Sequence, residues 1–453
     1  MTRPRRLVAV TAVVLTLGLS GNGLTVPAHA GQPLADQPGV PAAGAPAVLA
    51  PTVVVGSTAP LPTPAGLRRQ LRDLIKAPAA GNLAVVVADP SSKAVLFERR
   101  SSTTRTPAST LKLLTAAAAL TLLGTEQRLA TRVVVEESTL TIIGGGDATL
   151  VRAKSANPPW EDSASLRKLA RSVADQVGDA SVRLQYDDTL FTGPALAPGW
   201  PASFPADGVV APVSALMVDA GRTRPSALSR VQNPARQAAE VFAELLRAEG
   251  VQVRSIRAGV AGPGATEIAR VESAPMIDLV QRMLTESDND LAESIGHLVG
   301  KAAGFEASFA GGAQATMDAA KNLGLTTEDL RIVDGSGLSA RNTLQAATLV
   351  ELLNMVATGA DPRLGPMAPG LAVAGGTGTL AERYRERSER PAAGLVRAKT
   401  GTLTSVVALA GSVRDTDGRV LVFAFLAEKV SDIEAARRTV DAMAVRLAEC
   451  GCR

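Results

Sequence analysis

A serine and a lysine three positions apart open an otherwise apolar segment of this chain, TPASTLKLLTAAAAL, from Thr106 to Leu120. Positions i and i+3 of a helix lie on one face, so the side chains of Ser109 and Lys112 can meet. Burial penalises the charged form of a lysine, and a second cation nearby has the same effect. A neutral lysine can take the proton of a serine hydroxyl, so the pair predicts a serine nucleophile with a lysine base.

Histidine is too scarce to supply the more usual base. The chain has two histidines, His29 and His297, and His29 falls in a segment that we expect to be removed on export. A Ser-His-Asp triad would depend on His297 alone. That residue sits in a helical stretch with no G-x-S-x-G motif nearby, so we interpret it as structural. One histidine cannot build a histidine-based metal cluster, and we expect neither a metal nor a cofactor.

The S-x-x-K spacing alone does not identify a catalytic pair, because it occurs twice. The second copy, Ser165 and Lys168, is flanked by arginines in SASLRKLAR, which is typical of a solvated helix face. For Lys112 the ordinary alternative is a lysine that buries its stem and extends its ammonium to water.

Two later motifs favour the first copy. Ser287 and Asn289 form an S-x-N unit at the expected exit of a helix, where a hydroxyl can relay a proton and an amide can hold a peptide carbonyl. Lys399, Thr400 and Gly401 form a K-T-G run on an expected strand. There the lysine and threonine can bind a substrate carboxylate, and glycine lets a substrate backbone approach closely.

The order S-x-x-K, S-x-N, K-T-G is the signature of penicillin-binding proteins and serine β-lactamases. Between about residues 66 and 430 the chain resembles one branch: the D-alanyl-D-alanine carboxypeptidase/endopeptidase family of low-molecular-mass penicillin-binding proteins with a large insert. The resemblance extends to LTIIGGGDATL, YDDTLFTGPALAPGW, APVSALMVDAG, RIVDGSGLSARN and GTGTLAERY. The wide separation of Ser109 from Ser287 also favours this branch over class A β-lactamases.

The resemblance implies roles in acyl transfer. Ser109 is the acyl-forming nucleophile and Lys112 its general base. Ser287 and Asn289 assist proton transfer and substrate placement. The family usually has a large hydrophobic or aromatic residue soon after this motif, whereas Asp290 follows directly here, so the peptide-stem specificity can differ.

The resemblance also implies where the substrate binds. Lys399 and Thr400 hold the terminal carboxylate of a stem peptide that ends in D-Ala-D-Ala, with Gly401 and Thr402 beside them on the strand. The backbone N–H groups of Ser109 and Thr402 form the oxyanion hole. A β-lactam antibiotic mimics this substrate, acylates the serine and leaves slowly.

The elements that must position these residues indicate a mixed α/β (α+β) fold. Thr106 and Pro107 are expected as the N-cap and first residue of the Ser109 helix. VRAKTGTLTSVVALAGSVRDTDGRVLVFAFLAE predicts three strands, and Ser431 and Glu434 form a capping-box pattern before a closing helix. VSALMVDAG, residues 213–221, is expected to be a strand.

With the resemblance, these elements imply a β-lactamase/transpeptidase-like catalytic domain whose antiparallel sheet is flanked by helices. We expect this domain at residues 66–130 and 276–453, interrupted by an inserted domain at 131–275. The expected activity is that of a serine-type carboxypeptidase, with endopeptidase action as a further possibility. The alternatives are a β-lactamase or esterase on the same fold, or a non-enzymatic penicillin-sensing module that binds the wall.

The N-terminus predicts export to the periplasmic or cell-wall space, or secretion. Three arginines precede the apolar stretch Leu7–Leu19 and an AHA site, as in a signal peptide over residues 1–30. An uncleaved anchor is the rival interpretation, and it would be the only link to a membrane. Residues 31–65 are rich in Pro, Ala and Gly, as in an extended tether.

Charge and composition argue against a nucleic-acid partner. The formal net charge is +4 for the whole chain, and the expected signal carries three arginines and no acid, which leaves a nearly neutral mature protein. Aromatic residues make up only 3%, too few for base-stacking platforms. The two cysteines, Cys450 and Cys452, are expected as a local disulfide or as free thiols.

Overall fold

The computed structural model describes residues 58–153, 163–224 and 226–452. The expected signal at 1–30 and most of the expected tether lie outside these residues. At the end of the expected tether, a helix begins at Pro64. The hydroxyl of Thr63 caps that helix by accepting a hydrogen bond from the Gly66 N–H at 3.1 Å. No helix in the described ranges is long and apolar enough to cross a membrane.

The described ranges contain ten α-helices and eleven strands. The helices are Pro64–Leu71 (α1), Lys112–Leu122 (α2), Leu166–Val177 (α3), Pro234–Ala248 (α4), Met276–Glu286 (α5), Asn289–Ala302 (α6), Phe309–Asn322 (α7), Ala346–Thr358 (α8), Met367–Gly370 (α9) and Ile433–Ala448 (α10). The strands are Asn82–Ala88 (β1), Val95–Arg99 (β2), Ala130–Glu136 (β3), Thr139–Ile143 (β4), Ser181–Asp187 (β5), Gln252–Ala258 (β6), Thr266–Glu272 (β7), Ala372–Val373 (β8), Val396–Leu403 (β9), Val406–Arg414 (β10) and Val420–Glu428 (β11).

The larger sheet has six antiparallel strands in the order β2-β1-β11-β10-β9-β8. The central strands β1, β10 and β11 are almost wholly buried, because each face of the sheet is covered by helices. In β1, Leu83 and Val85 share a core with α1 and α10, whereas Ala84 and Val86 share a core with α2 and α5–α8. The expected antiparallel sheet flanked by helices is confirmed, with the three predicted C-terminal strands as β9, β10 and β11.

A second sheet lies between the two parts of the first along the sequence. Its order is β6-β5-β4-β3-β7. β3 runs antiparallel to β4 and β7, whereas β5 runs parallel to both of its neighbours, β4 and β6. The amphipathic helices α3 and α4 bury their apolar sides in the same core. The strands of the larger sheet are therefore interrupted along the sequence by a second layered unit, and the expected domain boundaries at 131 and 275 stay a prediction.

The predicted strand at residues 213–221 is wrong. Residues 215–218 are buried, but the main chain of the segment bonds to loops instead of a neighbouring strand. The Ala215 carbonyl accepts from the Gly146 N–H at 2.8 Å, and the Asp219 N–H donates to the Leu150 carbonyl at 2.9 Å. The residues of this run are apolar because they are buried, and burial does not require a strand. The run therefore did not predict the backbone conformation.

The predicted start of the closing helix is wrong by one residue. The carboxylate of Asp432, not the Ser431 hydroxyl, accepts the capping hydrogen bond from the Ala435 N–H at 2.9 Å. Beyond the helix, Cys450 and Cys452 form a local disulfide, one of the two states expected for them.

Candidate active site

Ser109 lies in a tight turn that leads into α2. Residues Ala108–Leu111 form a single 3-10 turn, and Ala108 has a φ of +48°, which is costly for a residue with a side chain. The expected helix start is wrong, because the Thr106 side chain does not cap it. The Thr106 N–H instead donates to the Glu428 carboxylate at 2.6 Å, which fixes this segment to the end of β11. Ser109 still lies in the first helical turn, as predicted.

Lys112 is fully buried and its Nζ has three hydrogen-bond partners. They are Ser109 Oγ at 3.1 Å, Asn289 Oδ1 at 2.8 Å and the Ser336 carbonyl at 2.7 Å. A neutral amine has two N–H donors and one lone pair. When the two donors bind Asn289 and Ser336, the lone pair faces the hydroxyl of Ser109. The geometry therefore suits removal of the hydroxyl proton.

The electrostatics of the site also favour a neutral base. Burial lowers the pKa of Lys112 from 10.5 to about 8. Carboxylates oppose this shift in the order Glu293, Asp334, Asp288 and Asp290. Burial likewise holds the pKa of Lys399 well below its ordinary value, and the charge of Lys112 acts in the same direction.

The S-x-N motif lies where α5 ends and α6 begins. Ser287 ends α5 in the left-handed conformation, with a φ of +57°. Asp288 caps α6 by accepting from the Leu291 N–H at 3.0 Å. Asn289 bonds Lys112 through its amide oxygen, and its amide nitrogen donates to the Val209 carbonyl at 2.9 Å. Ser287 and Asn289 both line a cavity of about 610 Å³.

Asp290, the residue that departs from the family pattern, is buried. Its carboxylate accepts from the Ala211 N–H at 2.6 Å and pairs with Arg230 at 3.1 Å. Burial and the neighbouring Asp288 raise the pKa of Asp290 to about 6. Because its two carboxylate oxygens bind Ala211 and Arg230, which both lie in the long connection between β5 and α4, Asp290 fixes that connection beside the S-x-N motif.

The K-T-G motif lies on β9. Lys399 is fully buried and its Nζ donates to the carbonyl of Thr400 at 3.0 Å. The Thr400 hydroxyl donates to the Thr379 hydroxyl at 2.9 Å, and Thr402 is exposed. A side chain at Gly401 would lie 2.9 Å from the Pro107 carbonyl. Glycine is needed there because the turn that carries Ser109 crosses β9, a reason that differs from the expected approach of substrate.

Two residues that no motif indicated complete the surroundings of Lys112. The Ser336 carbonyl binds its Nζ, and Glu293 accepts hydrogen bonds from the N–H groups of Gly335 and Ser336 at 2.9 and 2.8 Å. The only sequence signal is a glutamate within the apolar helix LAESIGHLVG. A carboxylate in such a position needs partners.

The second S-x-x-K copy and His297 have structural roles outside the three motifs. The Ser165 hydroxyl accepts from the Lys168 backbone N–H at 3.4 Å as the N-cap of α3, and the Lys168 side chain is exposed. His297 is buried between Phe191 and Phe309, with ring centroids 4.8 and 4.7 Å away. Burial lowers the pKa of His297 to about 4, so its ring is neutral and serves packing.

Comparison with known proteins finds similar chains among carboxypeptidases. Carboxypeptidase DacB of Mycolicibacterium smegmatis is 37% identical over 452 residues, which cover 98% of this chain and 94% of that protein. A D-alanyl-D-alanine carboxypeptidase of an Actinomadura species is 29% identical over 454 residues, which cover 81% of each chain.

Among solved structures, penicillin binding protein 4 from Haemophilus influenzae matches with a TM-score of 0.71 at 21% identity. The match covers 85% of this chain and 98% of that one, and it confirms the expected fold. A model of the D-Ala-D-Ala carboxypeptidase 3 (S13) family matches residues 67–229 and 224–450. From these matches over most of its length, the chain belongs to the D-Ala-D-Ala carboxypeptidase 3 (S13) family.

Proposed function

We propose that this chain is a serine-type D-Ala-D-Ala carboxypeptidase that forms an acyl-enzyme on Ser109, with Lys112 as general base. Family membership supplies the reaction class. The observation that carries the residue assignment is the 3.1 Å contact between Lys112 Nζ and Ser109 Oγ, because a base must lie within hydrogen-bond reach of the proton that it removes.

In acylation, neutral Lys112 takes the hydroxyl proton while Ser109 Oγ attacks the carbonyl carbon of the penultimate D-alanine. The N–H groups of Ser109 and Thr402 hold the oxyanion of the tetrahedral intermediate. Collapse breaks the peptide bond, and the proton passes from Lys112 through Ser287 to the leaving amine. Water, with Lys112 again as base, then hydrolyses the ester, which releases the shortened peptide and restores the serine.

Binding of the stem peptide uses the remaining motif residues. Asn289 has one amide N–H beyond the one bonded to Val209, and this group can hold a substrate carbonyl. Lys399 and Thr400 take the terminal carboxylate. The negative charge of that carboxylate favours the protonated form of Lys399, which burial disfavours in the free enzyme.

The substrate class determines where the protein acts. Peptidoglycan stem peptides that end in D-Ala-D-Ala lie outside the cytoplasm, so the proposed activity requires export, in line with the signal expected at residues 1–30. The same residues can cleave a peptide cross-link when the leaving amine belongs to a second stem, so endopeptidase action is part of the proposal. β-Lactams are expected to acylate Ser109 and to block both reactions.

Labelling with a fluorescent penicillin tests the residue assignment. We expect one covalent adduct, located on Ser109 by mass spectrometry, and release of D-alanine from a pentapeptide. Ser109→Ala should abolish both, whereas Ser165→Ala, in the second S-x-x-K copy, should leave both unchanged. An adduct that survives Ser109→Ala would contradict the nucleophile, and an adduct without D-alanine release would contradict the carboxypeptidase activity.

A further inference from the structure

We propose that Glu293 is the positioning residue of the general base: its carboxylate holds the main chain of Gly335 and Ser336, whose carbonyl fixes Lys112 Nζ beside Ser109. The inference rests on the proposed role of Lys112 and assigns a function to a residue outside the three motifs. Glu293 itself touches neither the nucleophile nor the expected substrate position, so it acts through the Ser336 carbonyl.

The hydrogen bonds form a continuous chain from the helix to the base. Each carboxylate oxygen of Glu293 accepts one backbone N–H, from Gly335 at 2.9 Å and from Ser336 at 2.8 Å. The Ser336 carbonyl then accepts from Lys112 Nζ at 2.7 Å. Glu293 follows Asn289 by four positions on α6. The same helix therefore supplies the Asn289 contact of Lys112 Nζ and, through Glu293, positions the Ser336 carbonyl contact.

The loop that carries the Ser336 carbonyl is held rigidly on its other side as well. The buried carboxylate of Asp334 accepts four hydrogen bonds between 2.6 and 2.9 Å, from the Gly337, Ser339, Asn342 and Trp200 donors. The Gly335 carbonyl accepts from the Thr115 hydroxyl at 2.7 Å. A side chain at Gly335 would lie 2.6 Å from the Ala292 carbonyl, so the loop lies directly against α6 beside Glu293.

Glu293 also places a charge close to the base. The charged groups that act on Lys112 are Glu293 and Asp290 from α6, Asp288 at the N-cap of α6, Asp334 from the loop and Lys399 from β9. Glu293 exerts the largest favourable effect on the ammonium among the carboxylates. Burial and the neighbouring Asp334 raise the pKa of Glu293 to about 8, whereas its hydrogen bonds from Gly335 and Ser336 favour the ionised form. A residue that only satisfied buried N–H groups would not influence the protonation of Lys112.

Two substitutions separate position from charge. Glu293→Gln removes the charge and can accept only one of the two N–H groups, because its second terminal atom is a donor. Glu293→Asp keeps the charge but is one methylene too short to reach both groups. Glu306→Gln is a matched control, because Glu306 is exposed and its carboxylate accepts a hydrogen bond from the Thr192 hydroxyl, which belongs to none of the motifs. The readout is the second-order rate of acylation by a fluorescent penicillin between pH 5 and pH 10.

We expect Glu293→Gln to lower the plateau rate at least about tenfold. It should also move the rising limb of the profile to lower pH, since the negative charge that ionised Glu293 carries raises the pKa of Lys112. Glu293→Asp should lower the plateau and leave the limb near its wild-type pH. Glu306→Gln should match the wild type in both.

The inference is overturned if folded Glu293→Gln keeps the wild-type plateau and limb, or if Glu293→Asp keeps the wild-type plateau. If Glu293→Gln does not fold, the plateau of Glu293→Asp decides alone. Ser109→Ala distinguishes a failure of the proposed function from a failure of the positioning role of Glu293. Labelling that persists in Ser109→Ala refutes the proposed function, whereas loss of labelling there with unchanged Glu293 variants refutes only the positioning role.

Discussion

The pH dependence of acylation follows from the burial of Lys112. With a pKa of about 8, about a tenth of the base is neutral at pH 7, compared with about 0.03% for a lysine at its ordinary pKa. Burial therefore raises the population of reactive base about 300-fold, which corresponds to about 3 kcal/mol. Because only the neutral amine accepts the Ser109 proton, the acylation rate should rise about tenfold per pH unit up to pH 8 and then level off.

Lys112→Arg tests the same reasoning at fixed pH. A guanidinium keeps its proton throughout this range, so the variant should lose acylation by at least about 10³-fold at pH 7 and show no rising limb. The measurement is the rate of adduct formation with a fluorescent penicillin, with thermal unfolding to establish that the variant folds. Lys168→Arg, on the exposed face of α3, is the matched control and should behave as wild type.

Two results would refute the role of Lys112 as a neutral base. One is an acylation rate that stays constant between pH 6 and pH 9 in the wild type. The other is a folded Lys112→Arg variant that acylates within tenfold of the wild type. Either result would mean that the proton of Ser109 leaves by another route, whatever the distance between the two side chains.

Two further predictions follow from packing and from burial. Gly401→Ala should slow acylation about tenfold or more, because its new Cβ would lie 2.9 Å from the Pro107 carbonyl and displace β9 from the Ser109 turn; a rate within twofold of wild type in the penicillin assay would contradict this. Lowering the pH from 7 to 4 should reduce the free energy of unfolding by about 3 kcal/mol through His297, since the unfolded chain takes up this proton near pH 6.5 and the native state only near pH 4. Urea titrations of wild type and His297→Leu measure that contribution, and an equal loss in both proteins would contradict it.

Local patterns identified the parts of the site that depend on a few neighbouring residues. The meeting of Ser109 and Lys112 follows from helical spacing, and the three C-terminal strands follow from apolar runs bounded by a turn. The Ser336 carbonyl could not be found in this way. Every residue carries a carbonyl, and the position of this one depends on hydrogen bonds to Glu293, forty-three positions earlier.

Main-chain partners explain the predictions that were wrong. Thr106 has the side chain of an N-cap, but β11 takes its N–H through Glu428, so the helical turn starts later. Residues 213–221 have the composition of a strand, but Gly146 and Leu150 bind their main chain. In both cases a tertiary hydrogen bond decided the backbone conformation, and local propensity did not.

The strand order of the larger sheet has a consequence for folding. β1 lies between β2 and β11, and Val86 pairs with Ala424 although the rest of the catalytic domain and the second sheet separate them along the chain. Pairings of such long sequence separation close slowly, because the loop entropy is lost before the contacts form. The strands of the second sheet are much closer to one another in sequence, so that unit can fold first. Lys112 meets Lys399 only when β9 joins the sheet, so a chain interrupted before residue 399 holds the nucleophile and its base without the strand that completes the site.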